Sequence, residues 1–383
     1  MSLMRPVVRF ASALFAIIAL LQPAFAASST VPLVTVTALI LRERPAVKQA
    51  PLWAEDMLAA FSEIQIPASR ENVCAGIAII SQESGFSANP AVPDLGRLSE
   101  QALRGKLDAI PIVGSRVLDF LENKPSPEDS IMDRIRAART ERDLDLVYRG
   151  IISDIGSVTE LRMLIDSGLL NRFIEQRNEI STIGSMQVSV AFALATERQR
   201  RWTPMNLQDT YAVRDALYTR KGGITYGLLQ LLGYDSGYDR KIFRFADYNA
   251  GRYASRNAAF QLAVAELSGV KLDRDGDLLA YGASGKPSRK AGKTEMALRK
   301  TIGARMSEAD IRSDLTHEKK QPFIATRVFT EVRDLYQRKT GKPAAFAIVP
   351  EIALKSVKIS SRMTTAIFAA RVNERYQRCM KKP

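Results

Sequence analysis

Histidine is almost missing from this sequence: of 383 residues, His317 is the single one. A catalytic relay with a second histidine in reserve is excluded, and so is a zinc site built on imidazoles. Cysteine is nearly as scarce. Cys74 and Cys379 are the two present, too few for a metal cluster. They leave two readings, one bridge between a late helix and an early one or two buried free thiols, and spacing alone does not choose between them. Beyond the first residues no run is apolar enough to cross a bilayer, which needs about 20 residues. No internal repeat is evident. His317 sits in the charged stretch Thr316-His317-Glu318-Lys319-Lys320, which reads as a solvated helix start.

What is present begins with an export signal. Arg5 and Arg9 precede an apolar run from Phe10 to Leu21, and Ala24-Phe25-Ala26 supplies the small residues that a signal peptidase reads. Residues 1–26 are therefore expected to be cleaved, giving a periplasmic chain without a transmembrane segment. No cysteine follows the apolar run, so a lipid anchor is not expected. The composition, 46% hydrophobic and 25% charged, is that of a globular protein. The charge is less ordinary, at +14. An exported cationic protein favours an anionic polymer or surface. Export argues against nucleic acid and leaves peptidoglycan or anionic lipid headgroups.

The periodicity is mainly helical. Apolar residues recur at helical spacing from Leu52 to Phe61. A stronger pattern runs from Ser69 to Glu83, with Ser69 as cap and Gly85 as terminator. The expected helices continue through 98–180, then Met186–Thr196, Thr210–Tyr218, Ile224–Leu232, Ile242–Asn249 and Asn257–Leu267, with Gly222-Gly223 read as a break. After Gly282 the composition turns to Gly, Ser and Lys. Further helices are expected near Ile324–Gln337 and Met363–Cys379.

Three segments carry candidate chemistry. Ser81-Gln82-Glu83-Ser84-Gly85-Phe86 ends an apolar helix, and a carboxyl desolvated there can hold the proton that a general acid needs. Gly184-Ser185-Met186-Gln187 reads as the opening of a helix, where free amides and the Gln187 side chain can meet a ligand. Tyr248-Asn249-Ala250-Gly251 offers a phenol to orient a carboxyl and an amide for an N-acetyl group. Each also has a plain structural reading as a helix end.

In this order the three segments resemble the soluble lytic transglycosylases, which share the goose-type lysozyme fold. The similarity touches about Trp53 to Glu266, in pieces. It includes Ala75–Asn89, like the family's catalytic helix, and Ile224-Thr225-Tyr226-Gly227-Leu228-Leu229, like the helix before its Tyr-Asn-Ala-Gly. There are departures. About eighty residues, 97–180, separate the first two segments, and Ser185 stands where Leu is usual. The resemblance implies a mainly α, lysozyme-like domain over 27–282 with a helical insertion at 97–180 and a C-terminal extension at 283–383. It implies Glu83 as catalytic acid/base, and Ser84, Gly184, Ser185, Met186, Gln187, Tyr226, Tyr248 and Asn249 as substrate-binding residues.

The expected substrate is the β-1,4 bond between N-acetylmuramic acid and N-acetylglucosamine in peptidoglycan glycan strands, cleaved without cofactor to a 1,6-anhydro product. Two alternatives stand beside it: a hydrolytic muramidase, or a catalytically inactive peptidoglycan-binding scaffold. Hydrolysis ordinarily uses two carboxylates, and Asp94, Asp247 and Glu175 are the candidates for a second. Asp273-Arg274-Asp275-Gly276-Asp277 resembles the start of a calcium loop. Leu278 and Ser284 occupy positions that such a loop gives to Gly and Glu, which favours a polar turn. Arg198-Gln199-Arg200-Arg201-Trp202 could grip an anionic polymer, but a solvated face is the plainer reading.

Overall fold

The computed structural model describes residues 30–109, 113–155, 181–282, 285–353 and 363–381. Among them the chain is mainly helical, with two short β-hairpins. The expected export signal at 1–26 lies outside the described residues. No helix among those described is long and apolar enough to cross a membrane.

Helices α1 (Leu33–Glu43) and α2 (Ala50–Glu63) lead to α3 (Arg70–Glu83). Ser69 caps α3 by accepting the Asn72 amide at 3.3 Å. Every residue from Val73 to Ser81 is buried, and a helix apolar on all sides belongs at the centre of a core. Gly76 lets Met57 and Leu228 close on it.

Four helices follow α3: α4 (Leu95–Asp108), α5 (Val113–Asn123), α6 (Ile131–Ala137) and α7 (Glu141–Ile155). A small hairpin, β1 (Pro125–Ser126) with β2 (Asp129–Ser130), precedes α6. Ser130 and Asp133 form a reciprocal cap at the start of α6. Gly96 lies against the Arg136 carbonyl, so α4 and α6 touch through backbone. This is the first part of the insertion expected at 97–180; residues 156–180 fall outside the description.

The chain returns in a second hairpin, β3 (Thr182–Ile183) paired with β4 (Val188–Ser189). Then come α8 (Val190–Arg200), α9 (Leu207–Leu217), α10 (Arg220–Leu232), α11 (Lys241–Ala250) and α12 (Ala254–Ser268). Gly222 and Gly223, read from sequence as a break, lie inside α10. Their missing side chains admit the carbonyls of Ala216 and Leu217 and the Ser185 hydroxyl. The glycines serve close packing, and the helix runs through them.

The residues after 282 do not behave as one extension. Helices α13 (Lys293–Ile302), α14 (Glu308–Leu315) and α15 (Arg327–Thr340) build a second apolar cluster with α12. At its centre Phe260 stacks on Phe329, and both meet Phe323 edge-on. The last helix, α16 (Thr365–Met380), instead joins the first core. Phe368, Ala369, Val372, Tyr376 and Cys379 pack there, against α3 and α11. A disulfide joins Cys74 on α3 to Cys379 on α16, with Cα atoms 5.6 Å apart. Arg42 and Arg70 both donate to the Cys379 carbonyl, at 2.6 and 3.1 Å. His317 lies in the turn after α14 rather than at a helix start, its carbonyl accepting the Lys320 amide.

The Asp273–Asp277 segment is a turn folded onto α12. Gln261 accepts the Gly276 amide and donates to Asp275 Oδ1 at 2.8 Å. Asp273 pairs with Lys293 and Asp277 with Lys319, so its carboxylates diverge to separate cations. No group of three or more potential metal ligands occurs among the described residues.

Candidate active site

Glu83 is the last residue of α3 and is half-buried. The turn after it is tightly shaped. Ser84 Oγ donates to the Ile80 carbonyl at 3.2 Å and accepts the Ser87 amide at 3.2 Å, so this hydroxyl forms the turn rather than meeting a ligand. Gly85 and Phe86 both take positive φ, 60° and 68°. Phe86 then drops its ring edge-on onto Trp53 of α2, 5.3 Å between centroids. Behind the turn, Ser81 donates to Glu43, and Arg375 bridges Glu43 and Gln82. The catalytic candidate therefore ends a helix gripped by α1, α2 and α16.

The second segment is placed differently from its sequence reading. Gly184-Ser185-Met186-Gln187 is the turn of the β3–β4 hairpin, and the helix starts later, at Val190. The physical reason is a pair of left-handed residues, Gly184 at φ 82° and Gln187 at φ 51°, which reverse the chain where a helix would continue it. Gly184 is required twice, because any Cβ there would collide with the Leu217 carbonyl.

Ser185 and Met186 are fully buried. They face α10, where Gly223 receives the Ser185 hydroxyl and Gly227 the Met186 side chain. Neither side chain is a surface for substrate, contrary to the sequence expectation. Gln187 is half-buried and its amide is engaged. Its Oε1 accepts from Thr182 Oγ1 at 2.9 Å, and its Nε2 donates to Glu141 Oε2 at 3.2 Å and to the Gly184 carbonyl at 3.3 Å. Gly184, Ser185 and Met186 are buried backbone and all, and Gln187 is the one residue of the turn that keeps partial exposure.

Tyr248 on α11 completes the cluster. Its hydroxyl donates to the Met186 carbonyl at 2.8 Å. Burial, then the negative charge of Glu83, holds this phenol well above its ordinary range. Tyr248 thus links the hairpin turn to α11. Gln230 on α10 fixes both partners, accepting the Ser189 amide at 3.1 Å and donating to the Tyr248 carbonyl at 3.2 Å. The loop after Glu83 meets the same place, because the Ala88 carbonyl passes close to Gly184. Glu83, the Gly184–Gln187 turn and Tyr248 come together.

Two expected residues have other engagements. Asn249 is exposed, and its Oδ1 accepts from Thr365 Oγ1 at 3.3 Å, at the start of α16. Tyr226 donates to Glu197 Oε1 of α8 at 2.9 Å. Burial and that carboxylate raise its phenol.

The second-carboxylate candidates are also spoken for. Asp247 is buried and takes hydrogen bonds from the Tyr234 and Tyr238 hydroxyls and from the Tyr253 and Ser255 amides, at 2.7–3.1 Å. Burial raises its carboxyl, while those donors oppose the shift. It joins α11 to α12. Asp94 is mostly exposed at the head of α4 and pairs with Arg97 at 3.4 Å. Glu175 lies outside the described residues.

Sequence reading missed Glu141, Gln230 and Arg44. Glu141, 1% exposed, reaches the hairpin from the inserted α7. Arg44 lies against Gly85. No local pattern marks any of them, since each acts on a partner far along the chain.

A family described as "Protein of unknown function (DUF1615)" matches residues 46–382. The chain is 37% identical over 350 residues to "Uncharacterized protein YaiW" of Escherichia coli (strain K12), an alignment covering 91% of this chain and 90% of the relative. No solved structure matches the chain.

Proposed function

We propose that this chain, which belongs to the DUF1615 family, is an exported enzyme that cleaves peptidoglycan glycan strands, with Glu83 as its acid/base. The observation that carries the reading is that the Tyr248 hydroxyl bonds the Met186 carbonyl of the hairpin turn while the loop that leaves Glu83 passes the same turn at Ala88. These segments, two helix ends and a hairpin turn, lie far apart in sequence.

In this reading the Glu83 carboxyl protonates the glycosidic oxygen of the bond between N-acetylmuramic acid and N-acetylglucosamine. The C–O bond breaks to an oxocarbenium-like centre at muramyl C1. The Glu83 carboxylate then takes the proton from the muramyl 6-hydroxyl as that oxygen closes on C1. The product is a 1,6-anhydro sugar, and no water is consumed. One carboxylate suffices for this route. The internal commitments of Asp247 and Glu141 favour it over two-carboxylate hydrolysis. The 184–187 turn would serve by holding Tyr248 in place through the Met186 carbonyl, with the partly exposed Gln187 as its one residue within reach of the strand.

A second reading has its own observation. Ser185 and Met186 are buried and the Gln187 amide is bonded to Glu141, which suits a fold kept for binding as well as one kept for catalysis. Mass analysis of purified sacculi after incubation with the protein separates the readings. Anhydro-muropeptides support the proposal, products heavier by one water support a muramidase, and intact sacculi that retain the protein support a binding role.

A further inference from the structure

The arginines around α3 are nearly all engaged. Arg42 and Arg70 cap the end of α16. Arg375 and Arg378 pair with Glu43, and Arg220 pairs with Asp56. Arg44 differs. It is exposed, and among the described residues no hydrogen bond or ion pair engages its guanidinium. Its neighbour Glu43 is turned into the protein, with a side chain only 3% exposed.

Arg44 lies over the turn that follows Glu83. A Cβ built on Gly85 would lie 2.5 Å from Cζ and Nη1 of Arg44 and 2.9 Å from Nη2. Three guanidinium atoms at similar range mean that the flat face of the group rests on the Gly85 backbone. Glycine there supplies both the φ of 60° and the room for this contact. A guanidinium stacked by its face keeps its N–H donors along its edge. Those donors lie beside the turn two residues after Glu83, free for a ligand.

We propose that Arg44 forms an anion-recognition subsite that reads a free carboxylate of the peptide stem next to the scissile bond. The proposal rests on the glycan-cleaving reading above. In peptidoglycan each stem hangs from the muramyl residue, beside the bond that Glu83 would break, and its carboxylates are the anions nearest that bond. A guanidinium fork matches a carboxylate in two parallel hydrogen bonds. A neutral glycan of the same backbone offers it nothing.

The test uses two soluble glycans from one preparation, one bearing stems and one from which an amidase has removed them and whose freed lactyl carboxylates have then been capped as methylamides, which makes it neutral. Binding of each to the Glu83→Gln protein and to the Glu83→Gln/Arg44→Ala protein is measured by calorimetry, and cleavage of each by wild type and Arg44→Ala. The affinity ratio of stem-bearing to stem-free glycan should fall about tenfold when Arg44 is removed, the size of one hydrogen bond to a charged group. Arg44→Lys, which keeps charge without the fork, should fall between. A ratio unchanged in Arg44→Ala overturns the subsite. The binding arm decides this proposal whether or not cleavage occurs, whereas absence of cleavage by wild type overturns the enzymatic reading alone.

Discussion

The Tyr248 hydroxyl donates its proton to the Met186 carbonyl at 2.8 Å, across 62 positions of sequence. The phenol is therefore fixed as a donor to backbone, and its oxygen remains in the field of Glu83. Tyr248→Phe deletes the donor and leaves a buried carbonyl unsatisfied. The expected loss is about 1–3 kcal/mol of stability, read as a lower urea midpoint at unchanged slope, together with slower glycan cleavage. A midpoint equal to that of wild type would show that the hydrogen bond carries nothing.

Glu83→Gln keeps the shape of the helix end and removes the transferable proton. Cleavage of sacculi should fall by about 10²–10⁴-fold, with circular dichroism and melting temperature close to wild type. Turnover at the wild-type rate would assign the chemistry elsewhere.

Glu141 ties the inserted α7 to the hairpin through the Gln187 amide. With Glu141→Ala, that half-buried amide loses an acceptor, and the 184–187 turn loses a brace. Stability should drop by about 1–3 kcal/mol and kcat should fall more than KM changes. Glu141→Gln keeps an acceptor oxygen and should recover most of both. Equal kinetics for Ala and Gln at this position would count against the brace.

Glu318 provides a pH-dependent term far from the site. Its carboxyl accepts from the Leu278 and Leu279 amides and the Tyr281 hydroxyl, yet burial prevails and pushes it up to about 7. A carboxyl raised on folding is protonated more readily in the native state than in the unfolded one. Its contribution is complete below the unfolded value near 4.5 and is lost as pH rises through about 7. The difference in unfolding free energy between wild type and Glu318→Gln should shift towards wild type by up to about 3 kcal/mol on going from pH 7.5 to 4.5. A difference that stays flat across this range would mean that Glu318 does not titrate there.

Breaking the Cys74–Cys379 bridge, whose partners are 305 positions apart, should cost about 2–5 kcal/mol. Cys74→Ser and Cys379→Ser should melt alike, and both should match reduced wild type in a thermal scan with and without dithiothreitol. Separate melting points for the two variants would point to packing rather than the bridge.

How much of this was visible in the sequence depends on the range of the cause. Helix α3 was legible because its determinants are local: a Ser69 cap, an apolar run and Gly85 at the stop. The hairpin turn at 184–187 was misread as a helix start. Gly184 suits either, and the Gln187 side chain finds its partners Glu141 and Thr182 outside the segment. Gly222 and Gly223 looked like a break because their reason, the approach of Ser185 and of the Ala216 and Leu217 carbonyls, is tertiary. The place of α16 was not legible at all. Its amphipathic pattern says that one face is buried, and only Cys379 hints against what.

The position of α16 also sets an order of events in time. A ribosome delivers α3 early and α16 some three hundred residues later. Until then, one side of the helix that carries Glu83 has no cover, and Asn249 lacks the Thr365 contact. The site therefore cannot be finished piecemeal during synthesis. The buried helix α3 waits for α16, and any product halted before residue 365 carries the complete set of candidate catalytic residues without the scaffold that holds them together.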